Sequence, residues 1–251
     1  MSTEIEGSYT RYTIALLENY KNTIDKLLKK TIPSEMEEVV TNTLLNKPGM
    51  RHTKAKISSQ DEFIERVWQG FNEIYHSYNA LSDIEVYVRR SPYSSLQIPK
   101  TRYLHYHVSN YLNEVYILQT RLNAYVKIIT RAYGRGRKIN ETEVVHSLLE
   151  IIKPLNGIIN TRGSHVHEKR YSDADFDQLE RFELLLQSEE FGFIDVLYSH
   201  VLKETKKKWK KTIRENQNAI HFLLDQYFSV LYSFVFDSEG IIVIPFQSRK
   251  S

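Results

Sequence analysis

Apolar residues recur at intervals of three and four along most of the chain, the period that turns one face of an α-helix toward a core. Tyr12, Leu16, Tyr20, Ile24 and Leu27 keep that period across Tyr9 to Lys30, and Pro33 ends the run. Ser34 caps a short second helix toward Leu45, before Pro48 and Gly49; Arg51 to Ser59 is basic, polar and loop-like. Ser59 or Asp61 then starts a helix toward Val88, with Phe63, Val67, Phe71 and Ile74 on one face and Gly70 loosening it. Between Pro99 and Gly134 no Gly or Pro intervenes. Leu104, Val108, Tyr111, Val115, Leu118 and Leu122 alternate there by four and three, the seam of a helix in a bundle.

After Gly134-Arg135-Gly136-Arg137 the helical pattern resumes from Asn140 to Ile159, with Pro154 as a kink. Asn160 to Ser172 is polar and reads as a helix end and connector. Asp173 or Asp175 caps an acidic helix with Phe176, Leu179, Phe182 and Leu186 inward. From Gly192 to Gly240 no breaker stands, so one long helix or two stacked ones fill the stretch. Ile241 to Ile244, before Pro245, form a strand-like tail able to pair at an edge. The pattern predicts one all-α domain over residues 1–251, an up-and-down bundle of six to eight helices, with residues 1–50 as an appended helical hairpin.

Composition narrows this picture. Nine Gly and six Pro among 251 residues disfavour short-stranded β architectures, and 17 Tyr, 11 Phe and 2 Trp supply a large core. Most tyrosines fall at apolar periodic positions and read as core and interface, not as a base-stacking array. With no Cys, disulfides, thiolate nucleophiles and Cys-ligated zinc are excluded. No apolar run approaches the roughly 20 residues of a membrane span, and Met1 to Glu6 lacks a signal-peptide layout, so the expected location is the cytoplasm, without a membrane. The net charge of +3 announces no nucleic acid by itself. Its distribution is more informative: Lys203 to Arg214 holds seven basic residues and one Glu, whereas Asp173 to Glu190 holds seven acids and one Arg.

Phosphate loops, dinucleotide fingerprints, nucleophile elbows and helical zinc motifs are absent from the sequence. The segment that stands out is Asn160-Thr-Arg162-Gly-Ser-His165-Val-His167-Glu168, between an apolar helix and an acidic one. A guanidinium holds a phosphate bidentately, and an imidazole moves a proton near neutral pH. The pair suffices for metal-free RNA cleavage, the 2′-OH attacking its own phosphate while the Arg stabilises the transition state. The competing reading is that Arg162 and His165 merely cap the preceding helix.

On an all-α chain, Arg162-x4-His167 resembles the Arg-x(4–6)-His motif of the HEPN superfamily (higher eukaryotes and prokaryotes nucleotide-binding domains). The resemblance covers about residues 99–236 in architecture and two residues in chemistry. It implies a helical bundle, usually a homodimer, with one Arg and one His of each protomer meeting at the dimer cleft. Many members are metal-independent ribonucleases of toxin–antitoxin and phage-defence systems, so RNA, an antitoxin or a nucleotidyltransferase are the implied partners. Arg162 would bind the phosphate and His167 would be catalytic. Active members commonly carry a polar residue after the Arg; here Gly163 stands there. A non-catalytic HEPN-like module binding nucleotide, RNA or protein is the alternative, and a structural helical protein using the motif as a cap is the third class.

His165 rivals His167, and Asn160 flanks the motif. His165-x-His167 has no third ligand at a recognisable spacing, so neither a metal nor a cofactor is expected. His105 and His107 diverge by about 200° on a helix and do not chelate together. His107, Asn110, Glu114 and Arg121 share a flank of that helix; Asn110 and Glu114 either orient Arg162 or His167 or belong to a solvated stripe. Lys206, Lys207, Lys208 and Lys210 around Trp209 suggest RNA-backbone contacts with a stacking ring, and Arg135 and Arg137 form a second basic cluster. The acidic helix offers the other reading, in which it neutralises the lysine run.

Overall fold

A computed structural model of the chain describes residues 7–31, 58–90, 97–133, 141–161, 171, 173–187 and 192–245. Those residues are all-α, with seven helices and no strand: α1 (Ser8–Thr31), α2 (Ser59–Arg89), α3 (Lys100–Tyr133), α4 (Glu141–Ile152), α5 (Leu155–Asn160), α6 (Ala174–Leu185) and α7 (Ile194–Val235). The expected second helix after Ser34 lies outside them. Where Gly and Pro are absent the helices run long, as predicted for α3 and for α7, which is one helix of 42 residues. Lys153 and Pro154 separate α4 from α5, because Pro154 has no N–H to donate to the preceding turn. The cap of α2 is Ser58 and not Ser59: its Oγ accepts from Asp61 N at 3.1 Å. Asp173 caps α6, accepting from Asp175 N and Phe176 N.

The chain divides into two compact units interleaved along the sequence: Met1–Asn72, Tyr125–Val145 and Asp225–Ser251 in one, Glu73–Ala124 and His146–Leu224 in the other. The first unit is built on aromatic rings. Phe228 lies fully buried, its ring 4.6 Å from Tyr12, 5.3 Å from Tyr9 and 5.5 Å from Phe71. Tyr12 and Tyr125 share a buried hydroxyl–hydroxyl hydrogen bond of 2.6 Å, which satisfies both polar tips inside the core. Burial drives both hydroxyls far above the ordinary tyrosine range, so they stay neutral donors. Gly70 is a close-packing position, not a loose point: a Cβ there would stand 2.7 Å from the Tyr125 ring.

The C-terminal tail returns through one antiparallel bridge, Phe236 with Ile242, rather than a strand. Asn19 of α1 fastens it, donating to Gly240 O and accepting from Ile242 N. Gly240 has φ +79, a left-handed turn that a residue with a Cβ adopts only under strain.

In the second unit, α2 and α3 run antiparallel, Glu73 and Ser77 meeting Arg121 at one end and Tyr87 meeting His107 at the other. The first turn of α3 is met by α6 and α7: Thr101 N donates to Glu183, and Tyr198 donates to the same carboxylate at 2.9 Å. Phe176, Leu179, Trp209 and Ile213 close the core between α6 and α7.

Candidate nucleic-acid interface

Arg162, His165 and His167, with Gly163, fall between residues 162 and 170, and Arg135 and Arg137 between 134 and 140; both stretches lie outside the described residues. The flanks of the first are placed. On its near side α5 ends at exposed Asn160, and Thr161 closes the helix, its N and Oγ1 both donating to Ile158 O. The last carbonyls of α5 therefore have a cap within Thr161 itself.

On the far side the chain is held by three side chains. His105 of α3 stacks on Phe176 with centroids 4.5 Å apart, points Nε2 at Tyr171 O, and sets Nδ1 3.4 Å from Glu180. Tyr171 donates its hydroxyl to Asp173 at 3.2 Å and stands edge-on to Trp209. Burial, then the neighbouring Asp173 carboxylate, push that hydroxyl well up. Lys208 of α7 completes the clasp, with Nζ 2.5 Å from Asp175 and 3.4 Å from Asp173. The hydrogen bond that Lys208 donates to Asp175 leads in raising the lysine pKa above its ordinary value, so Lys208 stays a cation there.

The lysine run thus divides by helical geometry. Lys208 faces the acidic start of α6, the neutralising role the acidic helix suggested for it. Trp209 is 4% exposed, in the same inward stripe as Thr205 and Ile213, and packs over Phe176 and Tyr171. It is a core anchor, and the expected stacking ring for RNA is corrected on that point; its place four residues from Thr205 and from Ile213 was the signal available in the sequence.

Lys203, Lys207, Lys210 and Arg214 follow each other by four, three and four, and all are exposed. At 1.5 Å per residue they make one outward stripe about 16 Å long. Lys206 is half-buried on its edge. The acids within this stretch answer only part of the charge: Glu204 stands 3.8 Å from Lys207, and Glu215 3.8 Å from Lys211.

Asn110 and Glu114 lie on the flank of α3 that faces α2, away from the His105 flank that holds Tyr171. Glu114 stands 3.9 Å from Arg121, which also pairs with Glu73 at 2.8 Å and donates to Ser77. The structure therefore brings together Lys208, Asp173 and the exit of the 162–170 connection, and sets Asn110 and Glu114 apart from that exit. His105, read in the sequence only as half of a failed chelate, is the residue that ties the exit down; its partner Tyr171 is 66 residues away, which no local pattern reveals. Among the described residues no group of three His, Asp or Glu side chains is placed to hold a metal ion. Among them, too, no helix is long and apolar enough to cross a membrane.

Removal of the α6 cap tests the clasp. Asp173→Ala is expected to cost about 1 kcal/mol, or about 2–4 °C in Tm, while Asp173→Asn, which caps equally well, stays within a few tenths of a kcal/mol, roughly. Thermal denaturation of both variants reads the difference.

No family model matches the chain, and no curated protein or solved structure matches it.

Proposed function

We propose that the chain is a HEPN-like, metal-independent endoribonuclease that works as a homodimer, with Arg162 binding the scissile phosphate and His167 transferring protons. The observation that supports the reading is the clasp at Tyr171 to Asp175, residues that follow His167 closely in the sequence: Lys208 ties Asp173 and Asp175 to a helix whose outer face is the Lys203–Lys207–Lys210–Arg214 stripe. The all-α architecture, with the motif between an apolar and an acidic helix, agrees with it.

In the proposed reaction the 2′-oxygen attacks the adjacent phosphorus, forming a P–O2′ bond as the P–O5′ bond breaks. His167 of one protomer accepts the 2′-OH proton, the His167 of the second copy protonates the leaving 5′-oxygen, and the guanidiniums stabilise the added charge on the phosphoryl oxygens. The products are a 2′,3′-cyclic phosphate and a 5′-OH. The basic stripe would align the RNA backbone. The family context extends the proposal to a cytoplasmic toxin or phage-defence protein with an antitoxin or nucleotidyltransferase partner.

The test is incubation of the purified protein with RNA in excess chelator. Cleavage by the native protein and none by His167→Ala is the expected result; intact RNA over a broad set of substrates overturns the catalytic reading. A second reading, RNA binding without cleavage, is favoured by the stripe together with Gly163. Replacing Lys203, Lys207 and Lys210 by Gln lowers the salt dependence of RNA binding by about 2 in log–log slope if three phosphate contacts are lost, at roughly 0.7 each for a single strand. A slope equal to that of the native protein would remove the stripe from the interface.

A further inference from the structure

The flank of α3 centred on His107 carries an aromatic cluster that the ribonuclease reading does not use. His107 is its hub: its ring lies 4.4 Å from Tyr103, 5.1 Å from Tyr87 of α2 and 5.3 Å from Tyr106, centroid to centroid. Tyr106 is 62% exposed and Tyr87 49%, unlike the tyrosines of the core. Large rings held at a fixed angle by a neighbour, yet open to solvent, lose little entropy on stacking against something further.

The surroundings decide what that something is. One helical turn to either side of Tyr106 stand Arg102, Tyr103, Ser109 and Asn110, with no aliphatic group among them, where a protein-docking face would carry several. Arg90 at the end of α2 and Lys100 and Arg102 in the first turn of α3 are exposed cations, and no carboxylate among the described residues pairs with them. The acids nearby on α2 are Asp83, one turn before Tyr87, and Glu85, which stands 3.9 Å from Arg89. Burial lowers the His107 pKa below the ordinary histidine range, so the hub is a neutral ring at pH 7 and adds no charge of its own.

We propose that Tyr106 and Tyr87, with Lys100, Arg102 and Arg90, form a binding site for single-stranded RNA, the rings stacking on unpaired bases, the cations meeting the phosphates and the Asn110 amide reaching a base edge. Exposed π-faces beside cations are what unpaired nucleotides offer complements to, and a duplex, whose bases are already stacked, has no ring face to give. The site stands independently of cleavage: it uses none of residues 162–170 and none of the side chains that hold Tyr171 to Asp175.

The experiment is fluorescence anisotropy with a 5′-labelled 12-mer oligouridylate, all variants carrying His167→Ala so that the strand stays whole. Tyr106→Ala is expected to weaken binding by about 5- to 100-fold, and Tyr106→Phe, which keeps the π-face, by no more than about twofold. The salt slope of Tyr106→Ala stays at the parent value, while Arg102→Gln lowers it by about 0.7. Weaker binding of the oligodeoxyuridylate of equal length marks the 2′-OH as part of recognition and supports the RNA assignment; equal binding of the two strands overturns RNA preference. No binding of oligouridylate by the parent, parent-like affinity in Tyr106→Ala, or equal loss in the Phe and Ala variants overturns the site. Dissociation of an oligomer by Tyr106→Ala in sedimentation, with RNA affinity unchanged, would make this face a protein interface instead. Because cleavage is silenced in every arm, failure here leaves the ribonuclease proposal standing, and failure of cleavage leaves this site standing.

Discussion

His167→Ala is expected to lower the rate of RNA cleavage in chelator by about 10²- to 10⁴-fold, the usual contribution of a positioned proton-transfer group. Arg162→Ala is expected to cost about 10²- to 10³-fold, comparable to removing one donor from a transition-state anion hole. The two losses differ in kind. A guanidinium grips a phosphate through two parallel N–H donors, so Arg162→Lys restores charge without the fork and recovers activity only in part. With a single active cleft built from both protomers, the double variant loses little more than the worse single one, because residues acting as a unit do not add. Folding must stay constant for this to be read as chemistry. The alternative, in which Arg162 and His165 are helix caps, predicts the reverse pattern: a fall in Tm with no effect on RNA. Measuring Tm and cleavage on the same preparations separates the two.

The largest effect on stability is expected from Phe228→Ala. Its ring is fully buried and stands within 6.5 Å of Tyr9, Tyr12, Phe71, Tyr125 and Tyr227, centroid to centroid. Truncation removes apolar burial and leaves a cavity among rings too large to rotate into it, a loss of about 3–5 kcal/mol. For a chain of this length that corresponds to about 6–20 °C in Tm. Leu17→Ala, at a position 48% exposed on α1, is the control and stays within about 0.5 kcal/mol. Urea denaturation of both variants checks the contrast; equal midpoints would mean that the aromatic cluster is not the core of the first unit.

Helix positions were legible because the chain punctuates itself: Pro154 between α4 and α5, Asp173 before α6, and unbroken periodicity through α3 and α7. The all-α class follows from the same pattern. The division into two units was not legible, since α2, α3, α4 and α7 each pass from one unit into the other, and only in α2 does a glycine, Gly70, stand near the change. Gly70 read as a weak point because a sequence shows the missing side chain but not the Tyr125 ring that occupies its place.

Around the site the same limit holds. A lysine run reads as uniform charge, yet helical geometry turns Lys208 to Asp175 and buries Trp209, leaving Lys203, Lys207, Lys210 and Arg214 outward. Most tyrosines read as core and interface from their apolar periodic positions; the exposure of Tyr87 and Tyr106 depends on how α2 meets α3, which only the fold supplies. The motif itself is the part of the candidate site that was read directly, from two residue types at one spacing.

The central claim is that Arg162 and His167 direct a 2′-OH onto its own phosphate without a metal. Mass spectrometry of the fragments released in chelator from a defined oligoribonucleotide tests it most directly. A 2′,3′-cyclic phosphate on the upstream fragment and a 5′-OH on the downstream one, both lost with His167→Ala, are the predicted result. Fragments ending in 3′-OH and 5′-phosphate, or cyclic phosphates that persist in His167→Ala, would contradict it.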